Sequence, residues 1–190
     1  MSLITKPTIE PLTLSETKRH LNLEHDDDDT LVERLIVVAR QHVETVTGCS
    51  IVRQEHRLYL DKFEEAFLPY GPAKSITQVI YIDANGSSQS LSTSVYELDD
   101  EKGQIILSYD QSWPDARAQR NAIYIDYFTG YFDNSVSPIS LRDDLPEDLK
   151  HAMLLLIGDL FLSRETQVDI KLYKNMAFDY LVGPYRTYVQ

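Results

Sequence analysis

The residues with the clearest chemical potential are four consecutive aspartates that follow His25, namely Asp26, Asp27, Asp28 and Asp29. Clustered carboxylates are the ligands that Ca²⁺ and Mg²⁺ prefer, but this run lacks the alternation and the glycine of an EF-hand loop. Aspartates in front of a helix also act as caps, because the helix dipole favours negative charge there. The sequence therefore favours a solvated capping segment over a metal site.

Catalytic motifs are not recognisable in this chain. Cys49 follows a predicted helix, so it lacks the helix N-terminus that activates many catalytic thiols. Neither a P-loop nor a dinucleotide or nucleophile-elbow motif is present. No zinc-ligand spacing links the histidines, which are His20, His25, His42, His56 and His151. We therefore expect no enzyme, no metal and no cofactor, and we expect His42 to be a core residue.

Two groups of aromatic and arginine side chains are candidates for protein contacts, where such residues are enriched. The first is Trp113 with Arg117 and Arg120, in a predicted loop. Such a group could also touch nucleic acid, but neighbouring aspartates favour a subunit contact. The second group could equally cover an apolar helix of its own chain, and it comprises Tyr173, Tyr180, Tyr185, Arg186 and Tyr188.

The excess of acidic residues limits the kinds of partner that the protein can bind. The chain has 190 residues, with 18 basic and 30 acidic side chains and a net charge of −12. Phosphate contacts are made by Lys and Arg, so DNA is expected to slide past this protein rather than bind it. A single cysteine fits a reducing compartment, and no signal peptide or membrane span is recognised. We expect synthesis in the cytoplasm and no membrane partner.

Helical periodicity marks both ends of the chain. The pattern Thr13-Leu-Ser-Glu16 predicts a capped helix that ends near Leu21. A second capping pattern at Thr30 predicts a helix to Thr47, which Gly48 ends. Its predicted buried stripe is Leu31, Leu35, Val38, Ala39, His42, Val43 and Val46.

A long apolar helix and a short last helix complete the C-terminal part. The run 149–162 follows Pro146 and is apolar on several sides, so other elements must cover it. A short helix is predicted over 173–181. We expect part of the long helix, or the tyrosines beside it, to stay exposed in an isolated subunit and to be buried in an assembly.

The middle of the chain has the period of two that is typical of strands. Strands are predicted over 53–60, 75–82, 94–98, 104–108 and 122–128, with a hairpin turn at Asn85-Gly86. Residues 1–11 are predicted to form an extended arm. The sequence therefore predicts an α+β fold, with N-terminal helices over 1–50, an inserted antiparallel β subdomain over 51–133, and a C-terminal helical part over 134–190 that packs on the N-terminal helices.

The order of these elements resembles the phage head–tail connector, or head-completion adaptor, family of tailed phages and prophages. The matching residues span most of the chain and include Thr47-Gly48, Leu58-x-Leu60, Trp113-Pro114, Tyr127-x-x-Gly130-Tyr131, the run from Leu145-Pro146 to Ala152, and Leu181-Val-Gly-Pro-Tyr-Arg186.

The resemblance implies a structural role without an active site. Such proteins form a homo-oligomeric ring beneath the portal protein, extend the DNA channel and dock a tail-side adaptor or stopper in the virion neck. The aspartates 26–29 would then face the channel. Another neck or tail-completion protein is an alternative, and an acidic carbohydrate-binding module or hydrolase is an alternative of a different class.

Overall fold

The computed structural model describes residues 2–5, 7, 9–131, 145–163 and 176–186. Helices and antiparallel sheets occupy separate stretches of the chain, which confirms the predicted α+β class. The helices are α1 (Leu14–Leu21), α2 (Asp29–Thr47), α3 (Glu147–Leu162) and α4 (Met176–Val182), and a 3₁₀ turn at Gly183–Tyr185 follows α4. The strands are β1 (Ser2–Thr5), β2 (Gln54–Leu60), β3 (Ala66–Phe67), β4 (Ala73–Ile82), β5 (Ser88–Ser90), β6 (Tyr96–Asp99), β7 (Gln104–Leu107) and β8 (Ile123–Thr129).

The chain divides into two compact units. The β unit contains Met1–Pro7 and Arg53–Gly130, and the helical unit contains Thr8–Val52 and Tyr131–Gln190. The helical unit is therefore built from two segments, and most of the β unit lies between them in sequence. Among the described residues, no helix is both long and apolar enough to cross a membrane.

The β unit consists of two antiparallel sheets. The five-stranded sheet has the order β1-β2-β8-β4-β5, and the three-stranded sheet has the order β3-β7-β6. Alternate residues of β8 point into the core, so Ile123, Ile125 and Tyr127 are buried, and Ile105 of the smaller sheet joins the same cluster. All five predicted strands are confirmed to within a few residues.

Two details of the β unit differ from the sequence prediction. The predicted N-terminal arm contains an edge strand, since Ser2 and Leu3 pair with Arg57 and His56 of β2. The hairpin at Asn85-Gly86 exists, but five residues rather than two connect its strands. The Asp83 carboxylate accepts hydrogen bonds from the backbone N–H groups of Asn85 and Ser87, each at 2.9 Å, and so fixes the longer turn.

The first helix of the helical unit begins as predicted, but the second begins two residues earlier than predicted. The Thr13 hydroxyl accepts from the backbone N–H of Glu16 at 3.0 Å, which confirms the first cap. The second cap prediction is wrong, because α2 starts at Asp29 and its N-cap is Asp28 rather than Thr30. Gly48 ends α2 with φ of +70°, as expected for a C-cap glycine.

The buried face of α2 is rotated relative to the prediction. The buried residues are Val32, Ile36, Ala39, Arg40, Val43 and Thr47. Val38 and His42 are exposed, so the expectation of a core histidine is wrong. Successive residues of an α-helix are rotated by about 100° around its axis. A stripe that is assigned one residue too early therefore lies on the side of the helix next to the buried face. Ala39 and Val43 belong to both stripes, which explains the partial agreement.

Helix α3 lies at the centre of the helical unit. Leu149, Ala152, Met153 and Ile157 have no exposed surface, and they share one core cluster with α2 and with Val182 of α4. Pro146 occupies the N-cap position, immediately before α3. Leu162 at the far end is 84% exposed, so the cover is incomplete there, as predicted for an isolated subunit.

A buried arginine cross-links the helical unit. The Arg40 guanidinium donates to Glu10 at 2.7 Å and to Glu44 at 2.8 Å. Glu44 also accepts from the backbone N–H of Ile51 at 3.0 Å. Burial would lower the pKa of Arg40, but the two carboxylates outweigh it and the pKa is raised. Burial raises the pKa of Glu44 even with Arg40 beside it, so this carboxylate depends on its cation.

Replacement of Arg40 by alanine should destabilise the protein strongly. It leaves Glu44 charged, buried and without its cation, which costs about 3 kcal/mol or more in free energy of unfolding. Arg34→Ala removes an exposed arginine of the same helix and should change stability by less than about 0.5 kcal/mol. Urea unfolding followed by circular dichroism measures both values. Equal effects of the two substitutions would contradict this account of the cluster.

His56 is buried in the β unit. Its ring stacks on Tyr70 with centroids 5.0 Å apart, and it is tilted against Tyr127 at 6.0 Å. Burial lowers its pKa from the ordinary 6.5 to about 4, because desolvation disfavours the imidazolium. The unfolded chain therefore binds a proton at this residue between pH 6.5 and pH 4, where the folded protein does not.

The free energy of unfolding should therefore fall as the pH is lowered through this window. The lowered pKa of His56 has no effect on stability well above pH 6.5, and it destabilises the fold increasingly down to about pH 4. Its share of the loss between pH 7 and pH 5 is about 2 kcal/mol. Denaturant titrations at both pH values should show a smaller loss for His56→Gln than for the wild type. The matched control is His25→Gln, at an exposed position, which should behave like the wild type. An unchanged loss in His56→Gln would refute the assignment.

Candidate interaction surfaces

The acidic segment 26–29 lies between α1 and α2 and is held by a lysine. Lys18 Nζ lies 2.5 Å from Asp26 Oδ1 and 2.6 Å from Asp29 Oδ1. Hydrogen bonds to Asp26 and Asp29 raise the pKa of Lys18, and the hydrogen bond from Lys18 lowers the pKa of Asp26. The Lys18 ammonium thus lies between the two carboxylates, where a metal cation would have to bind.

The four aspartates have different surroundings. Asp28 is the N-cap of α2, and Asp29 opens its first turn, where the helix dipole favours both. The side chains of Asp26 and Asp27 are 88% and 94% exposed. In the described part of the chain, no three side chains of His, Cys, Asp or Glu are grouped to hold a metal ion. The arrangement supports a capped, exposed and negatively charged surface.

The tryptophan loop is packed on one side and exposed on the other. Trp113 stacks on Phe63 with centroids 5.2 Å apart and ring planes 6° from parallel, and Phe63 also meets the edge of Tyr81. Trp113 is half-buried and packs against the core of the β unit. Arg117 and Arg120 are exposed in the same connection. The structure therefore brings the three predicted residues into one loop with a rigid aromatic base.

The C-terminal group divides into packing and exposed residues. Tyr180 on α4 is 74% exposed. Tyr185 is half-buried, and its hydroxyl lies 3.4 Å from Asp148 Oδ2 of α3. Arg186 donates to Asp179 at 2.9 Å. Tyr185 and Arg186 thus have partners within the subunit, whereas Tyr180 is open to a partner.

Two of the predicted interface residues, Tyr173 and Tyr188, lie outside the described residues. The remaining C-terminal turn is anchored to the helical unit by Cys49, whose Sγ donates to the backbone oxygen of Tyr185 at 3.3 Å. This buried thiol has a packing role that the sequence reasoning did not assign. The sequence feature that could have indicated this role is the position of Cys49 directly after the C-cap Gly48, since other elements must cover the end of a helix.

Sequence reasoning missed two polar clusters and several exposed apolar side chains. Arg40 reaches Glu10 across 30 residues, and Arg57 donates to Asp126 at 2.6 Å across 69 residues. No local spacing could reveal such pairs. In the described part of the chain, the most exposed apolar side chains outside the predicted sites are Tyr109, Leu162 and Met176, and periodicity does not distinguish them from half-buried neighbours.

Comparison with protein families gives a match over most of the elements described above. The model of the phage gp6-like head-tail connector proteins matches residues 11–115, which is more than half of the chain. The chain belongs to this family. That membership confirms the resemblance drawn from the sequence and makes the protein a head–tail connector protein. The matched residues include the acidic segment, α2 and Trp113.

Three similar solved structures come from gene transfer agent (GTA) particles. A chain in the neck of an empty GTA particle, computed with C6 symmetry, is 20% identical with a TM-score of 0.73. A chain in the virion of the native particle is 20% identical with a TM-score of 0.74. A chain in the native neck, computed with C12 symmetry, is 21% identical with a TM-score of 0.70.

Each of these matches covers 99% of this chain and 96% of the other. The likeness therefore extends over the whole fold, including both sequence segments of the helical unit. None of the curated proteins compared matches the chain.

Calcium should leave the thermal stability of the protein unchanged. The Lys18 ammonium already pairs with both Asp26 and Asp29, so a Ca²⁺ ion would have to displace it and find ligands that the segment does not present. Differential scanning fluorimetry with 5 mM CaCl₂ and with 5 mM MgCl₂ should give Tm values within about 1 °C of each other. A clear rise with calcium that Asp27→Asn or Asp29→Asn abolishes would overturn this reading.

Proposed function

We propose that this protein is a structural subunit of a connector ring in the neck of a phage or phage-like particle. The observation that carries the proposal is the family match over residues 11–115. The fold likeness to chains in GTA necks computed with C6 and C12 symmetry supports it, since such symmetry is that of a closed ring. In this role the ring extends the portal channel and docks a tail-side adaptor or stopper.

The acidic surface suits a channel through which DNA passes without binding. The exposed side chains of Asp26 and Asp27 repel phosphate, and the net charge of −12 extends that effect to the whole subunit. We propose that segment 26–29 faces the channel. Lys18 holds the segment in place without cancelling its charge, because it offsets one of the four carboxylates.

The subunit and partner contacts are proposed at the two aromatic groups. Tyr180 is the strongest member, because it combines a large ring with high exposure. Trp113 presents a fixed edge, since Phe63 supports its ring. The remaining proposed contacts are Arg117, Arg120, Tyr173, Tyr185, Arg186 and Tyr188.

The proposed role needs no reaction and no cofactor, and we propose that the protein is not an enzyme. Two alternatives were considered. Another neck or tail-completion protein would also be an assembly protein of the particle. A carbohydrate-binding module or hydrolase has no support from the family match. The protein would be made in the bacterial cytoplasm and end in the virion neck. The predicted parts 1–50 and 134–190 would form one domain and 51–133 a second, except that the first seven residues join the second.

Binding to a portal tests this function directly. Purified protein mixed with the portal protein of its own particle should co-sediment with it, and negative-stain images should show an added ring. Tyr180→Ser should weaken this binding by about tenfold, because an exposed anchor at an interface contributes more than 1 kcal/mol. Ile9→Ser removes another exposed apolar side chain of the helical unit and should bind like the wild type.

Failure of the wild-type protein to co-sediment would contradict the proposed function. Normal binding by Tyr180→Ser would be consistent with the proposed ring function but would exclude Tyr180 as an interface anchor. Circular dichroism of each variant checks that the fold is retained, which is expected because both side chains are exposed.

A further inference from the structure

The five-stranded sheet of the β unit is open at two edges. Its order is β1-β2-β8-β4-β5, so β1 and β5 form opposite edges of one sheet. Within the described part of the chain, neither strand pairs with a further strand on its outer side. Every residue of both strands is exposed. An edge strand has backbone N–H and C=O groups that face outwards, and these groups form a template for a strand of another chain.

The outward-facing backbone groups of β5 belong to two serines. The backbone N–H of Leu91, directly after β5, donates to the oxygen of Val79 on β4 at 2.8 Å. Bonded and non-bonded pairs alternate along an antiparallel ladder, so Gln89 is the residue of β5 that bonds to β4. The backbone groups of Ser88 and Ser90 therefore point away from β4, towards the open edge.

Strand β5 is held in its extended form by contacts within the subunit. The Gln89 side chain donates to Asp83 Oδ2 at 2.9 Å, and Asp83 also fixes the turn before β5. The Arg117 side chain packs against that turn, where a Cβ atom on Gly86 would come within 2.7 Å of its Nη1. A strand that is ordered in advance loses little conformational entropy when it pairs with another chain.

Strand β1 forms the other open edge. On its inner side it pairs with β2, and the Thr5 hydroxyl donates to Glu55 Oε2 of that strand at 3.1 Å. Its two apolar side chains, Leu3 and Ile4, are 45% and 44% exposed. The edge thus combines outward-facing backbone groups with apolar surface that a neighbouring strand would cover.

Both edges are uncharged, although the chain has a net charge of −12. Strand β1 contains no charged residue, and β5 lies in the longest uncharged run of the chain, the thirteen residues 84–96. Natural edge strands are commonly protected against pairing by charged residues or proline, and neither occurs in these two strands. Two copies of an acidic chain repel each other least where their surfaces carry no charge. The two edges are therefore suited to contact with a second copy of this chain.

The strand directions fit a head-to-tail contact. Each neighbouring pair in the sheet is antiparallel, so β1 and β5, at the two ends of the order, run in the same direction. In a ring with the C12 or C6 symmetry of the similar GTA necks, neighbouring subunits differ by a rotation of one twelfth or one sixth of a turn. Such a rotation keeps the strands of adjacent subunits roughly aligned, so β5 of one and β1 of the next can pair as parallel strands.

We propose that β5 of one subunit pairs in parallel with β1 of the next subunit in the ring, so that one sheet continues from subunit to subunit. Because the two strands lie at opposite edges, each subunit offers both halves of the contact, as a head-to-tail ring requires. The contact is strand addition, in which main-chain hydrogen bonds supply the affinity. This inference rests on the proposed ring function, and the occupant of each edge is a second copy of this chain.

Proline at the outer edge of β5 tests the pairing. Ser90→Pro removes an N–H that points away from β4, so the ladder between β4 and β5 is kept. Ring assembly is measured by light scattering and electron microscopy, alone and on the portal protein. The variant should assemble about tenfold more weakly, because a carbonyl of the neighbouring β1 is left without its donor. Thermal unfolding checks that the subunit itself is still folded.

A charge at the same position gives a second test that leaves the backbone unchanged. Ser90→Asp should weaken assembly by about tenfold, since a carboxylate at a strand edge opposes pairing. The matched control is Thr93→Asp, which adds the same charge at an exposed position after β5 and should assemble like the wild type. Normal assembly by both Ser90 variants would overturn the proposal, as would equal losses in Ser90→Asp and Thr93→Asp. If the wild type forms no ring under either condition, the proposed function fails, whatever the variants do.

Cross-linking gives a third measurement. Leu3 and Gln89 lie on the core side of the sheet, because their partners across the ladders are in line with Tyr127 and Ile123. A chain with Leu3→Cys and Gln89→Cys should form ladders of many subunits with a short thiol-reactive cross-linker, whose reach tolerates a small shift in register. Leu3→Cys with Ser88→Cys, on opposite faces, is the control and should form few, and the native cysteine is buried. An assembled ring of the first variant that shows no ladder would contradict the contact.

Discussion

The burial of α3 is the constraint on which the helical unit depends. The helix is apolar on several sides, and four of its side chains have no exposed surface. The three large ones, Leu149, Met153 and Ile157, each contribute on the order of 2 kcal/mol when they are removed from water. No single neighbour can supply that cover. Helices α1 and α2 precede the β unit in sequence, and α4 follows α3, so the core forms only when the chain returns after the insertion.

The return of the chain is secured by backbone contacts as well as by packing. The backbone N–H of Tyr131, just after β8, donates to the oxygen of Ile51, just before β2, at 3.2 Å. The entry and exit of the insertion are therefore adjacent. Arg40 and Glu44 fix the same region by joining α2 to the Glu10 segment and to Ile51.

The elements that depend on local pattern could be predicted from the sequence. Thr13 capped α1 as expected, Gly48 ended α2, and five strands of alternating period appeared close to their predicted positions. Features that depend on distant partners could not. The buried face of α2 was missed by one position because Arg40, a charged residue, takes part in it, and its partner Glu10 lies 30 residues away.

The candidate surfaces also contain features that could be predicted from local sequence and features that could not. Trp113 and its two arginines were predicted as a group because they are close in sequence, and the structure keeps them in one loop. The carboxylates that have no cation beside them could not be recognised, because many exposed carboxylates look alike in an acidic chain. Only the pairing of other charges, such as Asp99 with Lys102, shows which ones remain available. Charge balance therefore becomes informative about partners once the internal pairs are known.

A reconstruction of the neck of the assembled particle by electron cryo-microscopy tests the central claim most directly. The account predicts a closed ring of this chain next to the portal, with Asp26 and Asp27 facing the channel and the two aromatic groups in contact with neighbouring chains. Density for this chain elsewhere in the particle, or as separate subunits without ring contacts, would contradict it.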